Sequence, residues 1–316
     1  MRRQDIQAVL AAAGSGPKHH LGQNFMIDAA VLAAIVEAAA ITPDDIVLEV
    51  GPGPGNLTNL LAGRAAAVLA VDVDRAMLRA ASRHWSDLKN VHWLAADILA
   101  KKHEINPLVI TALRDLCAAH GKPAAGIKLV ANLPYNVASP LVAELLVLNC
   151  RQRRSAESMT FQIDTLVFTV QWEVGRRMAA AAGDAEYGAL GALIQLLADV
   201  EVLRPIAAGC FWPPPKIRSA LMRICPDETR IAGITDVLRL QRHVTRLFAH
   251  RRQNLANTLR HGFKELPLSR IAAAVTAAGM DLRIRTETLD PQRLLQLSDI
   301  IAGVENSGAG EDDGIP

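Results

Sequence analysis

Largely apolar runs recur through the first half of this chain, at residues 46–48, 66–71, 91–95 and 128–131, with only His92 and Lys128 polar among them. Runs this short and this apolar predict strands buried on both faces, as a parallel sheet requires. Helical periodicity over residues 56–64 puts a strand, a loop and a helix in succession. Residues 166–170 and 219–225 predict later strands of the same sheet, the second bounded by Pro226. Beyond Pro226 the period changes: residues 237–248, 254–261, 271–278 and 292–301 carry apolar stripes at helical spacing, with no strand pattern between them. The expectation is an α/β domain over residues 21–226 and a small all-helical domain over residues 227–303. A mobile, partly helical lead-in over residues 1–20 and a disordered acidic tail over residues 304–316 complete the expected organisation.

The first predicted strand runs into Glu49-Val50-Gly51-Pro52-Gly53-Pro54-Gly55. Three glycines at alternate positions let the backbone turn tightly and approach a ligand closely. Asp72 closes the second run, where a carboxylate can accept both hydroxyls of a ribose. Asp97 follows the third, placed to receive an adenine amino group. Ligands of open α/β sheets bind outside the carboxyl ends of the strands, where all these residues fall. The dinucleotide fingerprint wants glycine where Asn56 stands, and the phosphate-cradling loop wants a Lys that does not follow Gly55. Alternate glycines preceded by an acid fit a methionine-bearing nucleoside without a pyrophosphate. The fourth run leads into Asn132-Leu133-Pro134-Tyr135. The Asn132 amide and the Leu133 carbonyl can accept hydrogen bonds from an amine on a flat ring, Pro134 fixes the turn, and Tyr135 can cover the ring. Taken alone, the tetrapeptide also reads as an ordinary strand-to-turn exit.

At 316 residues, 50% hydrophobic and 21% charged, the composition is that of a globular protein. No apolar run nears the roughly 18 residues of a membrane span. Met1-Arg2-Arg3 before an alanine-rich stretch imitates an export signal, but Asp5 and Gln7 break it, and a cytoplasmic location is expected. Cys117, Cys150, Cys210 and Cys225 are too scattered for zinc ligation and read as reduced thiols. The net charge of +2 is unevenly spread. Residues 30–130 hold ten Lys/Arg and ten Asp/Glu, whereas residues 239–270 hold eight basic residues, including Arg246, Arg251 and Arg252, against the single acid Glu265. A solvated helix face is the bland account. The lack of compensating acids favours phosphate neutralisation, and so contact with RNA.

Several strings stand in one order: Leu21-Gly22-Gln23-Asn24-Phe25-Met26-Ile27-Asp28, the glycine loop, Val71-Asp72-Val73-Asp74, Ala96-Asp97 and Asn132-Leu133-Pro134-Tyr135-Asn136. Gln171-Trp172-Glu173-Val174, Tyr187-Gly188, Phe211-Trp212-Pro213-Pro214-Pro215-Lys216-Ile217 and His250-Arg251-Arg252-Gln253 follow. In these the chain, over residues 18–303, resembles the S-adenosylmethionine-dependent ribosomal RNA adenine dimethyltransferases, and among them the bacterial small-subunit (16S) branch. The resemblance implies a class I S-adenosylmethionine-dependent methyltransferase (Rossmann-like) sheet, with the helical domain docking on RNA. It implies S-adenosylmethionine as methyl donor, held by Asn24, Met26, Gly51, Asp72, Asp97 and Asn132. The implied partner of a monomeric enzyme is 16S rRNA in an immature small ribosomal subunit, and the implied product N6,N6-dimethyladenosine at two adjacent adenines near its 3′ end. Asn132, Leu133, Pro134, Tyr135 and Phe211 form the implied catalytic set, Phe211 aligning with the family's base-stacking phenylalanine. A sulfonium leaving group calls for neither a metal nor a covalent nucleophile. Read locally, Phe211 and Met26 are also core residues, and Asn24 is also a helix N-cap. A 23S methyltransferase and a non-catalytic assembly factor of the same fold stay open as rivals. The chain departs from the family in having Asp72 where glutamate is usual and Trp172 where lysine is. Segments 100–127 and 150–163 also look longer than the family's loops, the second carrying Arg151, Arg153 and Arg154.

Overall fold

The computed structural model describes residues 3–14, 16–18, 22–121, 126–154 and 161–308. The chain divides into two compact units, one of Met1–Gly175 with Asp199–Pro226, the other of Arg176–Ala198 with Asp227–Pro316. In the first, α1 (Arg3–Ala12), β1 (Phe25–Met26) and α2 (Ala29–Ala38) precede β2 (Ile46–Val50), α3 (Asn56–Ala62) and β3 (Ala67–Asp72). Next come α4 (Arg75–His84), β4 (Val91–Ala95), the hairpin of β5 (Leu99–Lys101) and β6 (Glu104–Ile105), and α5 (Pro107–Ala119). The elements β7 (Gly126–Asn132), α6 (Ala138–Arg154) and β8 (Gln162–Gln171) follow. After α7 (Trp172–Ala179) and α8 (Ala189–Leu197), the chain re-enters the unit through β9 (Ala198–Ile206), β10 (Phe211–Trp212) and β11 (Ser219–Pro226).

Seven strands make one sheet in the order β4-β3-β2-β7-β8-β11-β9. From β4 to β8 neighbouring strands are parallel, and β11 turns antiparallel against β8. Chain order runs outward from β2 through β3 to β4 on one side and from β7 to β8 on the other. Their boundary is therefore the switch point, where open α/β sheets take ligands. All five residues of β2 are buried, as a central strand covered on both faces demands. Val47, Val68, Val130 and Val167 from four strands pack with Leu32, Ile35 and Val36 of α2 and Leu57 and Leu61 of α3. Side-chain caps set the helix starts: Asp28 accepts from the Ala30 and Val31 amides before α2, and Asp74 from the Met77 amide before α4.

Each predicted strand exists, but the sequence reading misses β9. It is an edge strand whose polar residues, such as Asp199 and Glu201, are exposed and dilute the apolar signal. The helical part of the lead-in is α1, because Ile6, Val9 and Leu10 share one helix face and bury against Phe25, Met77 and Ala80. Segment 100–127 is no plain surface loop. It holds the β5–β6 hairpin and α5, whose Val109, Leu113, Leu116 and Cys117 are buried; residues 122–125 lie outside the described residues. In segment 150–163, Arg153 donates to Gln162 Oε1 at 2.9 Å, and residues 155–160 lie outside the described residues.

The second unit is helical: α8, α9 (Glu228–Gly233), α10 (Val237–Phe248), α11 (Leu255–Gly262), α12 (Leu268–Ala277) and α13 (Pro291–Gly308). The predicted boundary at Pro226 needs correction, since Arg176–Ala198 also belongs here. Leu193, Ile194, Leu196 and Leu197 of α8 are buried and require the faces of α10 and α13, with which α8 packs. The tail also begins later than expected, because α13 continues to Gly308. Residues 309–316, the rest of the expected tail, lie outside the described residues. Among the described residues no helix is long and apolar enough to cross a membrane.

Candidate active site

A cavity of about 200 Å³ opens at the carboxyl ends of β2, β3, β4 and β7. Val50, Gly51 and Gly53 line it from the end of β2, Val71 to Val73 from β3, Ala96 to Ile98 after β4, and Asn132 to Val137 after β7. Gly22, Gln23, Asn24 and Phe25 close the remaining side. The glycine loop is shaped by what a side chain would strike. Gly51 and Gly53 have φ of 72° and 54°, in the left-handed region that favours glycine. A Cβ on Gly53 would lie 2.9 Å from the Phe25 ring, and one on Gly51 3.3 Å from the Pro134 ring. The backbone thus runs bare past the cavity, and Pro134 closes on it across the switch point.

Asp72 and Asp97 line this cavity, and no Lys or Arg does among the described residues. Such a wall repels phosphate and suits a nucleoside that carries positive charge. Asp72 is half-buried, and burial pushes its carboxyl above the ordinary value although its Oδ1 accepts the Asp74 amide at 2.8 Å. Glu49, one residue before the lining, is 1% exposed with Oε2 unpartnered, and burial pushes it up to about 8. Burial would raise Asp74 as well, but Lys18 at 2.8 Å, the Met77 amide and Gln23 at 3.1 Å outweigh it and hold that carboxyl low. Asp74 thereby ties the segment leading into Gln23 and Asn24 to the start of α4.

The Asn132 amide is fully oriented. Its Nδ2 donates to the Asn24 carbonyl at 2.9 Å, and its Oδ1 accepts from the Thr169 hydroxyl. The Tyr135 hydroxyl bonds the buried Ser219 Oγ at 2.9 Å, and burial raises its pKa, so the phenol stays neutral. Asn24 is no N-cap: Asp28 caps α2, and Asn24 donates to the Gly22 carbonyl at 3.0 Å.

Asn24, Gly51, Asp72, Asp97, Asn132, Leu133, Pro134 and Tyr135 therefore share one cavity. Met26 and Phe211 do not. They pair with each other in the β1–β10 ladder and lie 4% and 2% exposed in the apolar cluster beneath α2. Phe211 therefore lies outside the lining of this cavity, with its ring packed in the core. In the second unit, Arg246 is committed to its own fold: it pairs with Glu265 at 2.5 Å, donates to the Gly262 carbonyl at 2.5 Å and lies 4.2 Å over the Phe263 ring. Arg251 donates to the Tyr187 carbonyl and pairs with Glu287 at 3.8 Å. Arg252 alone of the three is exposed and unpaired among the described residues. The site residues that sequence reasoning passes over are Phe25, Lys18, Asp74, Thr169 and Ser219. Phe25 and Asp74 stand inside the strings 21–28 and 71–74, whereas the two hydroxyls carry no local signal.

The profile of the ribosomal RNA adenine dimethylase family matches residues 15–293. The chain belongs to that family. A probable ribosomal RNA small subunit methyltransferase A from Methanopyrus kandleri is 35% identical over 82% of this chain and 82% of its own. The ribosomal RNA small subunit methyltransferase A of Moorella thermoacetica is 33% identical over 92% and 94%. Among solved structures, a dimethyladenosine transferase from Plasmodium falciparum superposes with a TM-score of 0.69 at 22% identity, covering 90% of this chain and 98% of that one. A 23S rRNA methyltransferase superposes at 0.59 with 24% identity, covering 88% and 100%. These two likenesses concern the fold, the Rossmann-like class I methyltransferase sheet. As a member of the ribosomal RNA adenine dimethylase family, the chain is an rRNA methyltransferase.

Proposed function

We propose that this protein transfers methyl groups from S-adenosylmethionine to N6 of two adjacent adenines near the 3′ end of 16S rRNA. The product is N6,N6-dimethyladenosine, made in an immature small ribosomal subunit in the cytoplasm by a monomer. One observation carries the reading: Asn132, Leu133, Pro134 and Tyr135 end β7 in the same cavity as Gly51, Asp72 and Asp97. The names of the curated relatives support the small subunit as target.

The cavity fits the methyl donor by its bare glycine backbone and its two carboxylates without a facing cation. Asp72 would accept from the ribose hydroxyls and Asp97 from the adenine amino group. When bound, S-adenosylmethionine supplies an electrophilic methyl on a sulfonium. The protein's task is then to orient the attacking nitrogen. Adenine N6 is a poor nucleophile because its lone pair is delocalised into the ring. Asn132 Oδ1 has one acceptor site beyond the Thr169 bond, and the Leu133 carbonyl offers another. Accepting the N6 protons there favours a pyramidal nitrogen with its lone pair turned outward. Holding reactants in such alignment can supply roughly 7–11 kcal/mol of a barrier. Tyr135, its hydroxyl fixed by Ser219, is the ring on which an unstacked adenine would lie. The neutral phenol need not act as a base, since the amine becomes acidic only after methyl transfer.

The test is mass spectrometry of small-subunit RNA from cells with and without this protein. Loss of dimethyladenosine on deletion is expected. Monomethyladenosine alone, or modification confined to 23S RNA, would refute the reading.

A further inference from the structure

Thr169 stands opposite Asn132 in the parallel β7–β8 ladder and is 0% exposed. Its neighbours along β8, Phe168 and Val170, are buried and apolar. A hydroxyl buried in such a strand is costly unless it is bonded, and a valine would fill much the same space without that cost. The Thr169 hydroxyl donates to Asn132 Oδ1, while Asn132 Nδ2 donates to the Asn24 carbonyl. A backbone carbonyl only accepts, so the amide nitrogen must face Asn24. Flipping the amide would set two carbonyl oxygens against each other. Of the two lone pairs on Oδ1, Thr169 occupies one and leaves one.

We propose that Thr169 is a positioning residue for methyl transfer. It locks the Asn132 amide so that its oxygen keeps a single acceptor for the target base, which selects an amine at that position over a carbonyl. The inference rests on the adenine-N6 reading above. Thr169 does not line the cavity, so it acts only through Asn132.

The experiment compares Thr169→Val and Thr169→Ala, which lack the donor, with Thr169→Ser, which keeps it. Methyl transfer to isolated small subunits gives kcat and KM, calorimetry gives S-adenosylmethionine affinity, and melting verifies the fold. Both donor-free variants should lose about 10- to 100-fold in kcat, the scale on which a slightly misplaced reacting group costs rate. Their KM for subunits and their cofactor affinity should stay within about twofold, and Thr169→Ser should recover most of the rate. Full kcat in the donor-free variants, an equal loss in Thr169→Ser, or a loss carried by KM or cofactor affinity would overturn the inference. Wild-type protein that methylates no adenine N6 would overturn the proposed function and this inference with it, and is told apart because the wild type fails too.

Discussion

Asn132 and Arg246 both stand out in the sequence as binding residues, one from each unit, and the fold treats them in opposite ways. Asn132 is held by two internal hydrogen bonds, yet those bonds aim its remaining acceptor capacity at a cavity. Arg246 is also held by two internal hydrogen bonds, to one carboxylate and one carbonyl, and these together with an aromatic face tie its guanidinium to the bundle. The difference lies in geometry. A strand end at a switch point has nowhere to spend its polar groups except on a ligand or on the residues that aim them. A basic residue on a helix bundle has neighbouring carbonyls and acids within reach. Internal bonding at the sheet edge therefore reads as preorganisation, and in the bundle as stability.

The largest expected effect follows from the first half of that contrast. Asn132→Ala should lower kcat by about 10²–10³-fold, the scale of losing one preorganised polar group at a reacting centre. The protein should still fold, since Asn132 is only half-buried. Transfer within a few-fold of wild type would sink the proposed role.

Glu49 sharpens the same contrast through pH. Its carboxyl moves from an ordinary value of 4.5 to about 8, chiefly through burial and then through the charge of Asp72. The folded state holds this proton more tightly than the unfolded chain does. The stability contributed by the neutral carboxyl is thus fully present below about 4.5, declines as pH rises and is lost by about 8. Glu49→Gln stays neutral throughout. The melting-temperature gap in favour of Glu49→Gln should widen from pH 5 to 8, corresponding to roughly 1.4 kcal/mol per pH unit, and then level off. A gap independent of pH would mean that Glu49 is not desolvated.

Asp72→Ala should weaken S-adenosylmethionine binding by about 1.5–3 kcal/mol, the worth of hydrogen bonds to a charged acceptor. Calorimetry on the folded variant decides this, and unchanged affinity would remove Asp72 from the cofactor wall.

What the sequence discloses divides along the same line. The strand ends were readable because a central parallel strand is mostly apolar, so the polar residue at its carboxyl end, Asp72 or Asn132, announces itself. The glycine loop was readable because positive φ at Gly51 and Gly53 demands that residue type. Thr169 and Ser219 could not be read, since a hydroxyl in a strand has no signature until a partner strand brings it opposite Asn132 or beside Tyr135. The placement of Phe211 is hidden for a related reason. The pairing of β10 with β1, which turns the ring into the core, joins segments far apart in the chain. In the bundle, charge count says how many arginines exist and nothing of which remain free. Arg251 is spent on Tyr187 and Glu287, a residue 36 positions away in sequence from it. Arg251→Ala should therefore destabilise the protein by about 1–3 kcal/mol, the cost of stranding a buried partner. Unchanged melting would show that those bonds contribute nothing.

Arg252 gives the smallest expected effect and the cleanest test of the bundle's proposed role as an RNA dock. It neighbours Arg251 in sequence but is exposed and unpaired among the described residues. Arg252→Ala should leave melting and S-adenosylmethionine affinity unchanged. If Arg252 meets a phosphate, small-subunit binding should weaken, and the slope of log affinity against log salt should flatten by about 1, because one fewer counterion is released. Arg246→Ala should do the reverse, lowering stability through the loss of Glu265 and Gly262 as partners while moving the salt slope little. A steeper loss of salt dependence from Arg246 than from Arg252 would break the distinction between the two and return the whole basic run to the RNA.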